Sequence, residues 1–132
     1  MFYFMSACPT FFFKNNKGAF WVDKKKERVS ASYYPLKKLS MNDIWAMHVL
    51  FEQYYHNVEF SAFFNDLSKK DGVILLRGKI SGEIFGFSTL LKIPFECEGR
   101  KVNGIFSGDT IVDRRYWGNR AMLGCFVMQL LK

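Results

Sequence analysis

The stretch GDTIVDRRYWGNRAMLGCFVMQLL, Gly108 to Leu131, constrains the fold more than any other part of the chain. A β-branched run, Thr110-Ile111-Val112, meets a small polar loop and then an unbroken apolar segment that reads as a helix. Strand, tight loop and helix N-terminus in that order expose backbone N–H groups that can hold a phosphate. The loop carries Gly118 and Asn119, with Arg114, Arg115 and Arg120 around it, so a ligand site is expected here. The competing reading is a charged turn before a buried helix.

Upstream, the periodicity alternates between strand and helix. SYYPLKKLS reads as a short strand leading to Ser40, and Ser40 with Asp43 three residues on resembles a capping box. Ile44, Met47, Phe51, Tyr54 and Tyr55 then recur at helical spacing. Asn57 breaks that helix. Phe60, Phe63, Phe64 and Leu67 form a second one, ended by Lys69-Lys70-Asp71 and Gly72, with the aromatic stripe expected in the core. His48 in the first helix is expected to be a satisfied packing residue. VILLRGKI and EIFGFSTLLKI, joined through Ser81-Gly82, predict an antiparallel hairpin, in which Gly86 requires a bulge or a close backbone approach. A third run, Val102 to Val112, follows the polar tip 96–101 and completes a meander.

Composition narrows the class. A chain of 132 residues, 49% hydrophobic and 18% aromatic, is one folded domain. Cys8, Cys97 and Cys125 are odd in number and lack metal-type spacing, which predicts free thiols, no metal site and a cytoplasmic protein. Residues 1–31 hold six Lys/Arg against two Asp/Glu, so four of the seven net positive charges lie in the first quarter, chiefly in the run at 24–28. That run reads as a solvated connector. Nucleic-acid binding would need exposed aromatics interleaved with basic residues, whereas most Phe residues follow core periodicity. The start, MFYFMSACPTFFF, is too short and interrupted for a membrane span or secretory signal. Met5 is an alternative start, and Phe11, Phe12 and Phe13 are expected to pack on the body.

The element order, the segment SGEIFGF at 81–87, and TIVDRRYWGNRAM opening a helix together resemble the N-terminal two-thirds of the GCN5-related N-acetyltransferase (GNAT) superfamily. In that family the strand before the pyrophosphate loop ends in Val, followed by Pro and a Tyr-Arg-Gly segment. Here Val112, Tyr116 and Gly118 match the Val, the Tyr and the first loop glycine. The resemblance covers residues 32–132, leaving 1–31 as an aromatic and basic extension. It implies an α+β fold with three α/β/α layers and a mixed, mainly antiparallel sheet of the acyl-CoA N-acyltransferase type, lacking its C-terminal strands.

The resemblance also implies roles. The backbone of Thr110, Ile111 and Val112 would take the pantetheine arm of acetyl-CoA as an added strand, and the loop Trp117, Gly118, Asn119, Arg120 and Ala121 would meet its pyrophosphate. Acetyl transfer would follow direct attack of an amine on the thioester. Where the family has Pro, Arg or Gln, Gly and Gly, this chain has Arg114, Trp117, Arg120 and Met122. Arg120 and Met122 would therefore crowd the path of the phosphates, with Arg120 able to compensate as a phosphate ligand. A shifted register, with Arg115 as the first motif residue and Gly118 as the fourth, leaves Arg120 in the final small position.

Candidate general bases are Asp109, Asp113 and Glu83. Strand alternation places Asp109 and Asp113 on one face with Ile111 and Ser107. Cys125, in an apolar helix, is expected to be inert. The helix from Ala121 to Leu131 is apolar on nearly every face and expects protein on several sides. The family continues beyond this helix with further strands and another helix. Their absence here predicts a shortened chain, a missing half supplied by a partner segment or a second copy in a homodimer, or a non-catalytic GNAT-like binding module. The expected partner is a small-molecule or peptide amine, with no membrane.

Overall fold

The computed structural model describes residues 26–132. The expectations for Met5, Cys8, Phe11 to Phe13 and the first part of the basic run lie outside the described residues. The elements are β1 (Val29–Pro35), a single 3-10 turn (Leu36–Lys38), α1 (Met41–Tyr54), α2 (Phe60–Ser68), β2 (Gly72–Gly78), β3 (Ile84–Cys97), β4 (Arg100–Val112), a second 3-10 turn (Arg114–Tyr116) and α3 (Ala121–Leu130). The strands form one sheet in the order β1-β2-β3-β4, and every pair among the described residues is antiparallel.

The run Val73-Ile74-Leu75-Leu76 explains the three layers. A strand alternates its side chains between faces, so four consecutive apolar residues need cover on both. Val73 and Leu75 join Ile44, Met47, Leu50, Phe63, Leu67, Phe87 and Ile111 under α1 and α2. Ile74 and Leu76 turn the other way, to clusters that include Phe126 and Met122 of α3. Phe87 is fully buried and touches Phe51 and Phe63. The expected aromatic stripe of α2 is core except at one position: Phe63 and Leu67 are buried and Phe60 packs half-buried against them, whereas Phe64 is exposed. A helix of nine residues lying along a sheet buries one narrow face, and Phe64 falls outside it.

Local chemistry sets the element ends. The Ser40 hydroxyl accepts the Asp43 N–H at 3.1 Å, as the capping pattern predicts. Asn57 takes a left-handed φ of 58° between the two helices. His48 Nε2–H donates to the Val58 carbonyl at 3.1 Å, and its ring lies among Trp45, Phe60 and Phe63, so it pins α1 to the start of α2. The β3–β4 hairpin is longer than its apolar runs. Both strands continue through the polar tip to a two-residue turn, Glu98 and Gly99, with φ of 52° and 75°. Both faces of that extension meet solvent, so no alternation marked it.

Gly72 does not end α2, as its position suggested; Lys69 is the C-cap, and Gly72 is the first residue of β2. It is glycine because a Cβ there would lie 2.6 Å from the Tyr34 carbonyl oxygen and 2.5 Å from the Tyr33 hydroxyl. Gly72→Ala must displace β1 backbone, and it is expected to lower the unfolding free energy by about 2 kcal/mol in urea titration.

Candidate functional site

Two irregularities in the sheet decide where the polar groups point. Between β2 and β3 the register shifts from Leu76↔Gly86 to Arg77↔Ile84, which leaves Phe85 as the extra residue. Gly86 sits beside this bulge, where a Cβ would come 3.0 Å from the Ile111 carbonyl oxygen and 3.2 Å from the Met122 sulfur. Bulge and close approach thus occur together. Between β3 and β4 the register passes from Ser88↔Thr110 to Leu90↔Ser107, so Gly108 and Asp109 oppose the single residue Thr89.

That second bulge corrects the expected alternation. Ser107 does not share a face with Asp109 and Ile111; its hydroxyl is 2.8 Å from Ser88 Oγ, which is itself 2.8 Å from Thr110 Oγ1. An extra residue inverts the parity of everything before it, so Ser107 and Thr110 lie together on the α3 side. Asp109 and Ile111 remain on the α1/α2 side, where Ile111 is core and Asp109 is half-buried beside Asp66 and Lys70. Burial first, and the Asp66 carboxylate second, raise the Asp109 pKa, while Lys70 opposes the shift. Lys70 Nζ is 3.8 Å from Asp66 Oδ2.

The other two candidate carboxylates belong elsewhere. Asp113 accepts the Arg115 N–H at 2.9 Å and receives the Arg115 guanidinium through both oxygens, each at 3.0 Å. The guanidinium also lies over the Phe85 ring, 5.1 Å from its centroid. Arg115 is thereby folded onto its own turn rather than extended over the loop. Glu83 is exposed and lines, with Asp113, Arg115, Asp43 and Arg77, a cleft of about 450 Å³ between α1 and the β2–β3 turn. Within that cleft Arg77 Nη2 is 2.8 Å from Asp43 Oδ1. Asp113 follows the end of β4, four residues on from Asp109 and roughly 13 Å away at strand rise, so the three carboxylates do not converge.

Immediately after β4 the Asp113 N–H donates to the Phe85 carbonyl of β3. N–H and C=O of one peptide point in opposite directions, so the Val112 carbonyl faces the outer edge, as do the polar backbone groups of Thr110 two residues earlier. No strand among the described residues pairs with that edge. The Trp117 indole N–H donates to the Val112 carbonyl at 2.9 Å, covering the end of the edge. In the loop, Gly118 has φ of 85° and open space around it. The Trp117 N–H donates to Arg114 O, the Asn119 N–H donates to Tyr116 O, and the Asn119 side chain accepts the Ala121 N–H at 2.9 Å, so three of the five loop N–H groups are used internally. Arg120 is exposed. Met122 does not crowd the loop: its side chain turns inward over Gly86 and packs against both clusters under α3. Cys125 is half-buried against the same layer, and burial raises its thiol pKa.

Three groups at the site carried no motif. Tyr54 accepts the Arg114 N–H at 2.9 Å and ties the end of α1 to the loop. Asp66 on α2 and Lys70 just past its end, spaced i and i+4, lie beside Asp109 of β4. A helical spacing of four was their one visible signal.

A carboxyl whose folded pKa is raised binds its proton more tightly in the native state. Its contribution to stability is present at acid pH and is lost as pH rises through the folded value. Asp109→Asn is therefore expected to gain melting temperature relative to the parent at neutral pH, with the gain vanishing below the carboxylate range in calorimetric scans.

No protein-family model and no curated protein matches the chain. Solved structures do. An acetyltransferase from Trypanosoma brucei superposes with a TM-score of 0.52 at 18% identity, covering 79% of this chain and 72% of that one. A tetramutant protein from Bacillus halodurans gives 0.53 at 13% identity, covering 76% and 72%. An aminoglycoside acetyltransferase from an uncultured soil sample, crystallised with sisomicin, gives 0.49 at 11% identity, covering 76% and 66%. At such identities the first two likenesses speak to architecture alone. With the three layers, the antiparallel sheet and the strand–loop–helix described above, they show that the described residues share the architecture of that Trypanosoma brucei acetyltransferase.

Proposed function

We propose that the chain is an acetyl-CoA-dependent N-acetyltransferase in which a substrate amine attacks the thioester directly. The observation that carries this reading is the bulge at Gly108–Asp109. It turns one half-buried carboxylate toward α2 while the polar backbone of Thr110 and Val112 stays on the open edge of the same strand. Base and strand edge are thus adjacent.

Thr110 and Val112 offer N–H and C=O groups to the amides of a pantetheine arm laid along β4. Ile111 serves by filling the core behind them. At the loop, the open surroundings of Gly118 and the exposed guanidinium of Arg120 fit a pyrophosphate, Arg120 substituting side-chain donors for glycine-exposed backbone. Asp109 receives the proton of the attacking amine. Its raised pKa brings it nearer to neutrality, where a base is both deprotonated and able to accept. Asp113, held by Arg115, and exposed Glu83 are assigned loop-shaping and surface roles instead.

The second reading, a GNAT-like module that binds without catalysis, draws on Trp117 capping the Val112 carbonyl and Asn119 capping α3. Calorimetric titration with acetyl-CoA separates the two. Saturable binding weakened about tenfold in Arg120→Ala is expected; absence of heat and of any thermal shift at millimolar acetyl-CoA would remove the enzyme. With an accepted amine, Asp109→Asn is expected to lower kcat by about a hundredfold with little change in acetyl-CoA affinity. An equal loss in Asp113→Asn, with its fold intact, would reassign the base.

A further inference from the structure

Lys70 differs from the solvated lysines of this basic chain. Its side chain is about 13% exposed, although lysine almost always keeps its ammonium in water. From the end of α2 it reaches under the sheet, where Nζ lies 3.8 Å from Asp66 Oδ2 and 5.8 Å from the centroid of the Phe106 ring. Nζ is also 3.3 Å from the point at which a side chain on Gly108 would begin. Gly108 is the first residue of the β4 bulge, and Asp109 is the second. The space above Gly108 thus holds a primary amine.

A second group points into the same space. Thr89 Oγ1 comes within 2.5 Å of that point, belongs to a residue only 2% exposed and has no hydrogen-bond partner among the described residues. A buried hydroxyl left without a partner costs about 1–3 kcal/mol, so its retention here calls for something that it can bind. Thr89 opposes Val73 across the sheet and therefore faces α1 and α2, the side on which Asp109 and Lys70 meet. Amine, carboxylate and unpartnered hydroxyl converge one residue before the first outward-facing peptide of Thr110.

We propose that Lys70 Nζ is an acetyl acceptor, so that the chain acetylates its own Lys70. This inference rests on the acetyl-CoA reading above. The Lys70 ammonium gives one proton to the Asp109 carboxylate, and the freed Nζ lone pair forms a C–N bond to the thioester carbonyl carbon. The C–S bond breaks with its electron pair on sulfur, the second Nζ proton leaves with the thiolate as coenzyme A thiol, and no redox change occurs. Thr89 hydroxyl accepts from or donates to the acylated nitrogen and its carbonyl. The product amide carries no charge, so Asp66 and Asp109 lose their shared counter-ion and the pocket becomes a stronger trap for an external ammonium.

The test incubates the full chain with acetyl-CoA and maps acetyl-lysines by mass spectrometry over time, with calorimetric binding measured in parallel. Lys70 is expected to be acetylated about a hundredfold faster than exposed Lys37, Lys79 or Lys101, at a rate independent of protein concentration. Lys70→Arg should abolish the modification, and Asp109→Asn should slow it about a hundredfold without loss of acetyl-CoA binding. If acetyl-CoA binds but Lys70 reacts no faster than the exposed lysines, or only in proportion to protein concentration, Lys70 is not an acceptor. If acetyl-CoA does not bind, the acetyltransferase reading fails and this inference with it.

Discussion

The polar side chains of β4 depend on one mismatch in strand length: two residues of β4, Gly108 and Asp109, stand against Thr89 of β3. A regular pairing would alternate Ser107, Asp109 and Ile111 on one face. The bulge instead sends Ser107 to the α3 side, where its hydroxyl and those of Ser88 and Thr110 satisfy one another at 2.8 Å. Three hydroxyls that would be orphaned singly are stable as a group, and their mutual bonds hold the altered register. The bulge needs glycine at its first position because Thr89 and Lys70 occupy the side-chain space there. Packing, register and the placement of Asp109 are therefore one constraint seen from three sides.

The fold was legible where apolar residues repeat against a polar background. The four-residue run Val73 to Leu76 required cover on both faces, and Ile44, Met47, Phe63 and Leu67 supplied one of them at helical spacing. The capping pair Ser40 and Asp43 marked the start of α1. Periodicity failed where both faces meet the same environment. The outer halves of β3 and β4, around Phe95 and Val102, are solvated on both sides. In α3 the apolar residues run round the whole helix, but Phe126 is buried while Leu123, Val127 and Met128 are exposed among the described residues. Composition alone could not say which side faces the sheet.

The site was legible in outline only. The strand, loop and helix from Gly108 to Leu131 are where the sequence puts them, because β-branched residues, a glycine with φ of 85° and an apolar helix are all local signals. Which carboxylate meets which cation is not local. Asp113 and Arg115 are two residues apart and pair across a 3-10 turn, whereas Asp109 meets Asp66 and Lys70 only after α2 has docked on the sheet. A single inserted residue in a strand changes the face of every earlier side chain, and no residue type announces it with certainty.

The loop substitutions are coupled to the core in the same way. A glycine helix start permits backbone approach but leaves nothing to fill the space beneath it; here Met122 fills that space, and Gly86 of β3 yields the room. Met122 therefore narrows nothing at the surface. Trp117 is the more consequential change, since its indole N–H occupies the Val112 carbonyl that an added strand would use. An incoming amide N–H would replace that bond one for one, and neutral hydrogen bonds exchanged in this way differ by only about 1 kcal/mol. Under the proposed function the indole swings aside at small cost, and the Thr110 groups, which it does not cover, would give the pantetheine arm its first contacts. Under the proposed function, Trp117 thus covers the Val112 end of the edge and leaves Thr110 open to a ligand.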